Sequence, residues 1–205
     1  MHAPSGVEVI GISGSLRTGS YTTMAVAAAL RGAAEAGAKT QLIDLRDYNL
    51  TLSKGADIDA SYPASLAALR ERVKSADGIV LGTPEYHGSF SGVLKNALDL
   101  MGFEEFEGKM IGLVGVSGGQ MGAFDALNSL RNVGRALHAW VIPEQASIPE
   151  AWRVFKVDGS VRDEELEKRL KSVGRQVARF ALLHSFERDL DFVKAWEQAP
   201  QNPGG

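Results

Sequence analysis

The sequence predicts an α/β fold built on a parallel sheet with helices on both faces. Three observations carry that prediction. Short, strongly apolar runs recur along the chain; segments with helical periodicity separate them; and the two kinds alternate from near the start to about residue 185 of 205. Runs with few polar interruptions fit strands covered on both faces. Alternation of strand and helix gives a parallel sheet, and right-handed crossovers restrict it to a few doubly wound arrangements.

The apolar runs are VEVIGIS (7–13), TQLIDL (40–45), GIVLGT (78–83), MIGLVGVS (110–117) and WVIPEQASI (140–148). After the first, residues 21–36 are Ala-rich and stop at Gly37. Residues 65–75 place Leu66, Leu69 and Val73 on one helical face, and 91–101 do the same with Val93, Leu94, Ala97, Leu98 and Met101. Residues 122–139 follow with Phe124, Leu127, Leu130, Val133 and Leu137. The last periodic segment, 163 to about 183, opens with acidic residues that favour the positive end of a helix. Five strands over about 150 residues suit the strand order 2-1-3-4-5 of flavodoxin-like sheets. A dinucleotide-binding sheet would call for a sixth strand and a G-x-G-x-x-G turn, which the sequence lacks.

Residues 1–198 read as a single domain with its core over about 7–185. Residues 50–63 and 145–159 read as excursions. Residues 186–197, with Leu190, Phe192, Val193 and Trp196, read as one more amphipathic helix. The tail, 199–205, is expected to be disordered from its Pro, Gly and polar content.

Composition narrows the function. Apolar residues make up 44% and charged residues 23%, ordinary for a globular chain. The net charge of −3 is spread without a basic block, which argues against a nucleic-acid partner. With no cysteine there is no disulfide framework, thiolate nucleophile or Cys-bound metal. The four histidines do not cluster at metal-ligand spacing. No apolar run is long enough for membrane insertion, and the first residues carry no secretory pattern, so a cytoplasmic protein is expected.

Three loops should meet beyond the carboxyl ends of the strands, where such sheets bind ligands. The first, within GISGSLRTGSYTTMAV (11–26), offers Ser13, Ser15, Ser20, Tyr21, Thr22 and one cation, Arg17. A helix start and a guanidinium together favour a phosphate, although a turn capped by Ser20 would use several of the same residues. Gly14 and Gly19 allow close approach or positive φ. The second, GTPEYHGSFSGVLKNALDLM (82–101), opens with Pro84, Glu85, Tyr86 and His87. Tyr86 and Phe90 could receive a planar ligand or pack beneath the loop. The third, GVSGGQMGAF (115–124), has no charge; Ser117, Gly118, Gly119 and Gln120 could form an anion-accepting nest or a plain glycine turn. Together the loops would suit FMN, with its phosphate, ribityl chain and flat ring.

These segments resemble the NAD(P)H-dependent FMN reductases of flavodoxin-like fold, a group that includes bacterial chromate, quinone and azo-dye reductases. The resemblance covers about 7–149 and rests on G-S-L-R-x-x-S (14–20), T-P-E-Y-H-G-S-F-S-G-x-L-K-N-x-x-D (83–99) and S-G-G-Q-x-G (117–122). It implies phosphate binding by Ser15, Arg17, Ser20 and Thr22. It implies ring and ribityl contacts from Pro84, Glu85, Tyr86 and His87 on one side and Ser117, Gly118, Gly119 and Gln120 on the other. Lys95, Asn96 and Asp99 would support the loop and a subunit contact. The chain departs from the family at His87, where many members have Asn, and at Ser91, where many have Pro. The implied reaction is hydride transfer from NAD(P)H through FMN to a small acceptor such as a flavin, quinone, chromate or azo compound, in two half-reactions. No side-chain nucleophile is required, and His87 is a candidate proton donor. A homodimer or homotetramer is implied. The alternative is an FMN electron carrier of the flavodoxin type, which the modest charge and Arg17 disfavour.

Overall fold

The computed structural model describes residues 6–54 and 62–188. Five parallel strands form its centre: β1 (Glu8–Ser13), β2 (Lys39–Asp44), β3 (Gly78–Tyr86), β5 (Met110–Val116) and β6 (Trp140–Ile148), in the order β2-β1-β3-β5-β6. Numbered among the parallel strands alone, this is the order 2-1-3-4-5. A two-residue strand, β4 (Ser89–Phe90), runs antiparallel to the end of β3 and makes the sheet six-stranded.

Alternation along the strands divides the core into two layers. Val9, Val80 and Val114 pack with Ala25, Val26 and Ala29 of α1 (Tyr21–Glu35) and Val173 and Val177 of α7 (Glu164–Arg188). Ile10, Ile12, Leu81 and Leu113 point the other way. They pack against α2 (Ala64–Ser75), α3 (Gly92–Asp99) and α5 (Phe124–Ala136) through Leu69, Val73, Leu94, Leu98, Leu127 and Leu130. Two one-turn helices, α4 (Phe103–Phe106) and α6 (Ala151–Val154), complete the order.

On the first face α1 and α7 approach unusually closely. An added Cβ at Gly174 would lie 1.8 Å from the Ala29 carbonyl oxygen, and one at Gly32 would lie 2.0 Å from that of Lys171. The small side chains of the Ala-rich helix therefore allow backbone to approach backbone. Lys171 Nζ and Glu35 Oε1 join the same two helices at 2.8 Å.

The edge strand β6 carries a register shift against β5: Ile111 pairs with Val141, but Leu113 pairs with Gln145. The bulge frees carbonyls, and Arg131 of α5 takes them. Its guanidinium donates to the Ile142 and Pro143 oxygens at 2.9 and 2.7 Å and to Gln145 Oε1 at 2.8 Å. Desolvation lowers the Arg131 pKa from its ordinary value.

Two expectations change. Residues 145–148 belong to β6, so the second excursion begins only after Ile148. The final helix does not stop near 183 but runs through to Arg188. No Gly or Pro interrupts 183–188, and Ser185 hydrogen-bonds back to the Leu182 carbonyl at 2.8 Å rather than capping a new start. The rest of the expected helix at 186–197, the tail, and most of the 50–63 excursion lie outside the described residues. Among the described residues no helix is long and apolar enough to cross a membrane, and no group of acidic and histidine side chains could hold a metal ion.

Candidate functional site

Parallel strands all end on the same side, so the loops after β1, β3 and β5 meet there. Between them lies a cleft of about 390 Å³.

The first loop supplies Ser15, Arg17, Gly19, Ser20, Tyr21 and Thr22 to the lining. Its two early glycines have separate causes. At Gly14 a Cβ would meet Leu94 Cβ at 2.7 Å, so the position needs a bare backbone. Gly19 sits at φ 67 in open space, so the position needs a left-handed turn. Ser20 then caps α1, its Oγ accepting from the Thr22 and Thr23 N–H groups at 3.1 and 3.4 Å. Arg17 is exposed, and its N–H donates to Ser15 Oγ at 3.4 Å. Among the described residues its guanidinium forms no ion pair. Ser13 is fully buried and does not line the cleft. Its hydroxyl bonds that of Thr23 at 2.9 Å and braces the helix start.

The second loop supplies Pro84, Glu85 and Tyr86. Glu85 reaches the start of α5, where its Oε2 accepts the Ala126 N–H at 3.0 Å. A carboxylate at a helix N-terminus meets both an open donor and the positive end of the dipole. One of its oxygens is therefore engaged with α5. Tyr86 is half exposed. His87 is exposed and lies outside the cleft lining. With φ 52, followed by Gly88 at φ 73, it forms the two-residue turn between β3 and β4. Such turns require positive φ at both positions, and Asn is the favoured non-glycine residue there. Ser91 ties the first two loops together. Its N–H donates to Thr83 Oγ1 at 3.0 Å, its hydroxyl donates to the Gly14 carbonyl at 2.6 Å, and the same Oγ accepts the Leu94 N–H at 3.2 Å.

The third loop supplies Ser117 and Gly118, with Val116 beneath them. A Cβ at Gly118 would meet nothing within 4 Å, so its backbone lies open to the cleft. Gly119 and Gln120 are exposed but are not among the lining residues. Gly119 serves the loop itself: its N–H donates to Ser117 Oγ at 3.1 Å, and its carbonyl accepts the Glu150 N–H at 3.0 Å.

The remaining lining residues, Ala151 and Trp152, were not legible as site residues. They follow β6, inside a segment that reads as an excursion. Ala151 N–H donates to the Ser117 carbonyl at 3.0 Å, which splices the segment onto the third loop. Phe155 stacks on Tyr21 with centroids 5.8 Å apart and planes at 14°. The one available signal was an aromatic pair, Trp152 and Phe155, directly after a strand end.

Chemically, the cleft combines hydroxyls, one open cation and a helix start capped by Ser20 with apolar walls from Pro84, Val116 and Ala151 and the aromatic side chains of Tyr86 and Trp152. A ligand with one anionic group and a flat body matches those donors and walls. FMN has both.

Comparison with known proteins points the same way. The family model described as NADPH-dependent FMN reductase matches residues 7–153. The chain is 33% identical over 182 residues to an FMN-dependent NADPH-azoreductase of Staphylococcus saprophyticus, covering 86% of this chain and 96% of that one. It is 31% identical to the NADPH-dependent FMN reductase ArsH of Shigella flexneri, covering 86% of this chain and 69% of the other. Among solved structures, the flavoenzyme NAD(P)H:(acceptor) oxidoreductase FerB of Paracoccus denitrificans superposes with a TM-score of 0.65 at 28% identity, covering 87% of this chain and 98% of that one.

Proposed function

We propose residue roles from the premise that this chain belongs to the NADPH-dependent FMN reductase family. The protein is an FMN-dependent oxidoreductase that draws electrons from NAD(P)H and delivers them to small acceptors. When bound, FMN would supply the redox chemistry between the nicotinamide and the acceptor, while the protein supplies orientation and electrostatics.

The supporting observation is that the cleft has one open cation, Arg17, beside a capped helix start, while its carboxylate, Glu85, is committed to α5. Arg17, Ser15, Ser20 and Thr22 hold the phosphate in this reading. Pro84, Tyr86, Ser117 and Gly118 hold the ring and ribityl chain. Glu85 positions the second loop by bonding α5. His87 serves as a turn residue, and Gly119 and Gln120 support the third loop. Ser13 acts from beneath. The open Gly118 backbone allows N–H donation to a ligand that gains negative charge on reduction.

A single FMN-binding domain spans 1–198 in this reading, with its core over about 7–185. The chain works in the cytoplasm, where NAD(P)H is supplied, as a homodimer or homotetramer. Exposed Leu16 and Leu52, beside Val93 and Asn96 of α3, support a subunit contact there.

The test is spectroscopic. Purified protein should carry or take up FMN and appear yellow, and NADPH or NADH should bleach it without oxygen. Protein that gains no flavin spectrum with added FMN overturns the proposal. Flavin that binds but is not reduced by either nicotinamide would identify an electron carrier instead.

A further inference from the structure

We propose that Trp152 and Arg153 form an acceptor-selecting plate at the rim of the cleft, favouring acceptors that join an aromatic ring to an anionic substituent. The inference rests on the reductase reading above and adds a substrate class to it.

The first observation is a half-exposed aromatic side chain on an anchored segment. The segment that carries Trp152 is anchored on both sides of it. Ala151 is 2% exposed and bonded to the third loop, and Phe155 is 3% exposed and stacked on Tyr21. The bridge between Phe155 and Val161 and the bond from Arg162 N–H to the Val154 carbonyl at 2.9 Å close the segment further on. Trp152 contributes to none of these, is 54% exposed, and lines the cleft. Tyr86, 50% exposed, lines the same cleft from the second loop. A fixed backbone with a half-exposed indole is what a stacking ligand needs.

The second observation is the charge placed on that indole. The Arg153 guanidinium carbon lies 4.6 Å from the Trp152 ring centroid, a cation–π distance. Arg153 is not part of the cleft lining, but its guanidinium lies over Trp152, which is. Its partner is Glu150 Oε2 at 3.4 Å, with 63% of the arginine side chain exposed. An exposed pair of that length is weak, so an incoming anion can take the guanidinium from it. Glu150 holds φ 42, which commits its backbone to the turn, and its N–H to Gly119 keeps the turn in place.

Two guanidiniums thus have different places. Arg17, in the lining, would serve the cofactor's phosphate in the reading above, while Arg153 remains for the acceptor. A sulfonate or carboxylate on an aromatic ring would meet Arg153 while the ring lies against Trp152, and guanidinium binds such oxyanions by charge-assisted hydrogen bonds. A neutral aromatic acceptor gains the ring contact alone.

Steady-state kinetics at saturating FMN test this with a matched pair, anthraquinone-2-sulfonate and neutral 2-(hydroxymethyl)anthraquinone. Intrinsic reactivity differs between the two, but it cancels when their kcat/KM ratio is compared between wild type and variant. R153Q should lower the sulfonate-to-neutral ratio about three- to fivefold, mainly through KM, as expected for an exposed ion pair. R153E should lower it further, and R153K should restore part of it. W152L should lower kcat/KM for both acceptors about fivefold, the scale of one aromatic contact. The proposal is overturned if R153Q and R153E leave the ratio at the wild-type value, or if W152L leaves kcat/KM for both acceptors at the wild-type value. A wild-type protein that takes up no FMN, or oxidises no NAD(P)H, overturns the reductase reading itself.

Discussion

At Arg17 the backbone and the side chain have separate tasks. The N–H is used within the turn, on Ser15 Oγ, while the guanidinium is exposed and has no ion pair among the described residues. A turn alone would need only the first. If the guanidinium serves the phosphate, Arg17→Ala should weaken FMN binding by about 1.5–3 kcal/mol, the range for hydrogen bonds to charged groups. Fluorescence titration of FMN would then show Kd rising roughly ten- to a hundredfold. Arg17→Lys should fall between, because an ammonium keeps the charge and loses the fork. An unchanged Kd for Arg17→Ala would leave the segment as a capped turn. The motif made Arg17 legible because a lone charge in a Gly- and Ser-rich turn has few structural reasons to exist. His87 was harder to read. Chemistry drew attention to its imidazole, whereas the structure uses its backbone at φ 52, a position that favours Asn. The departure from the family pattern therefore falls where Asn and His share a tolerance for left-handed backbone. Trp152 was not legible, because nothing local distinguishes an aromatic that faces a cleft from one that is buried.

Among the elements, α1 and α7 make the most demanding contact. Sequence periodicity gave both helices, but it could not show that Gly32 and Gly174 let their backbones touch, since the residues are far apart in the chain. Gly174→Ala sets two effects against each other. Alanine improves helix propensity by about 1 kcal/mol in a helix interior. Its Cβ, however, would lie 1.8 Å from the Ala29 carbonyl oxygen, and no rotamer change can relieve a clash with backbone. Overpacking of this kind costs about 1–3 kcal/mol, occasionally more, and here the whole helix must move, so the cost wins. With the cost at the upper end of that range, about 3 kcal/mol, the net loss is about 2 kcal/mol, or on the order of 4–8 °C in Tm by calorimetry. A Tm that rises would mean that the two helices slide apart freely. The same limit explains the other differences between expectation and structure. Helix α7 continues past 183 because no breaker stands there, and only tertiary packing could have fixed its end. The bulge in β6 meets Arg131, whose pairing with the Ile142 and Pro143 carbonyls links elements that a one-dimensional reading treats separately.

For the whole molecule, the ion pairs predict how stability depends on pH. Glu35 is held below its ordinary value of 4.5 mainly by its hydrogen bond to Lys171, with Arg175 adding to the effect. Asp44 is held below 3.8 mainly by the side-chain hydrogen bond from Arg46, and Glu104 below 4.5 by Lys74. A carboxylate whose pKa is lower in the folded chain binds its proton more readily once unfolded. Its contribution is therefore complete above the ordinary value and is lost as pH falls through the folded one. The lysines reverse the sign. Lys171 and Lys168 are raised above 10.5 by their hydrogen bonds to Glu35 and to Glu165 and Glu164. Their contribution is complete below 10.5 and is lost as pH rises through the folded values. Tm should thus be flat from about pH 5 to about pH 10 and fall on both sides, with the acid limb below 4.5 the steeper because more groups share it. These partners lie at the surface, so 0.5 M salt should shrink both limbs while leaving the plateau in place. Glu35→Gln should reduce the acid limb at low salt, since it removes the carboxylate that joins α1 to α7 through both Lys171 and Arg175. Thermal melts across pH at two salt concentrations check the whole pattern. A Tm that climbs as pH drops from 5 to 3 would show that the folded chain repels its own carboxylates instead of pairing them.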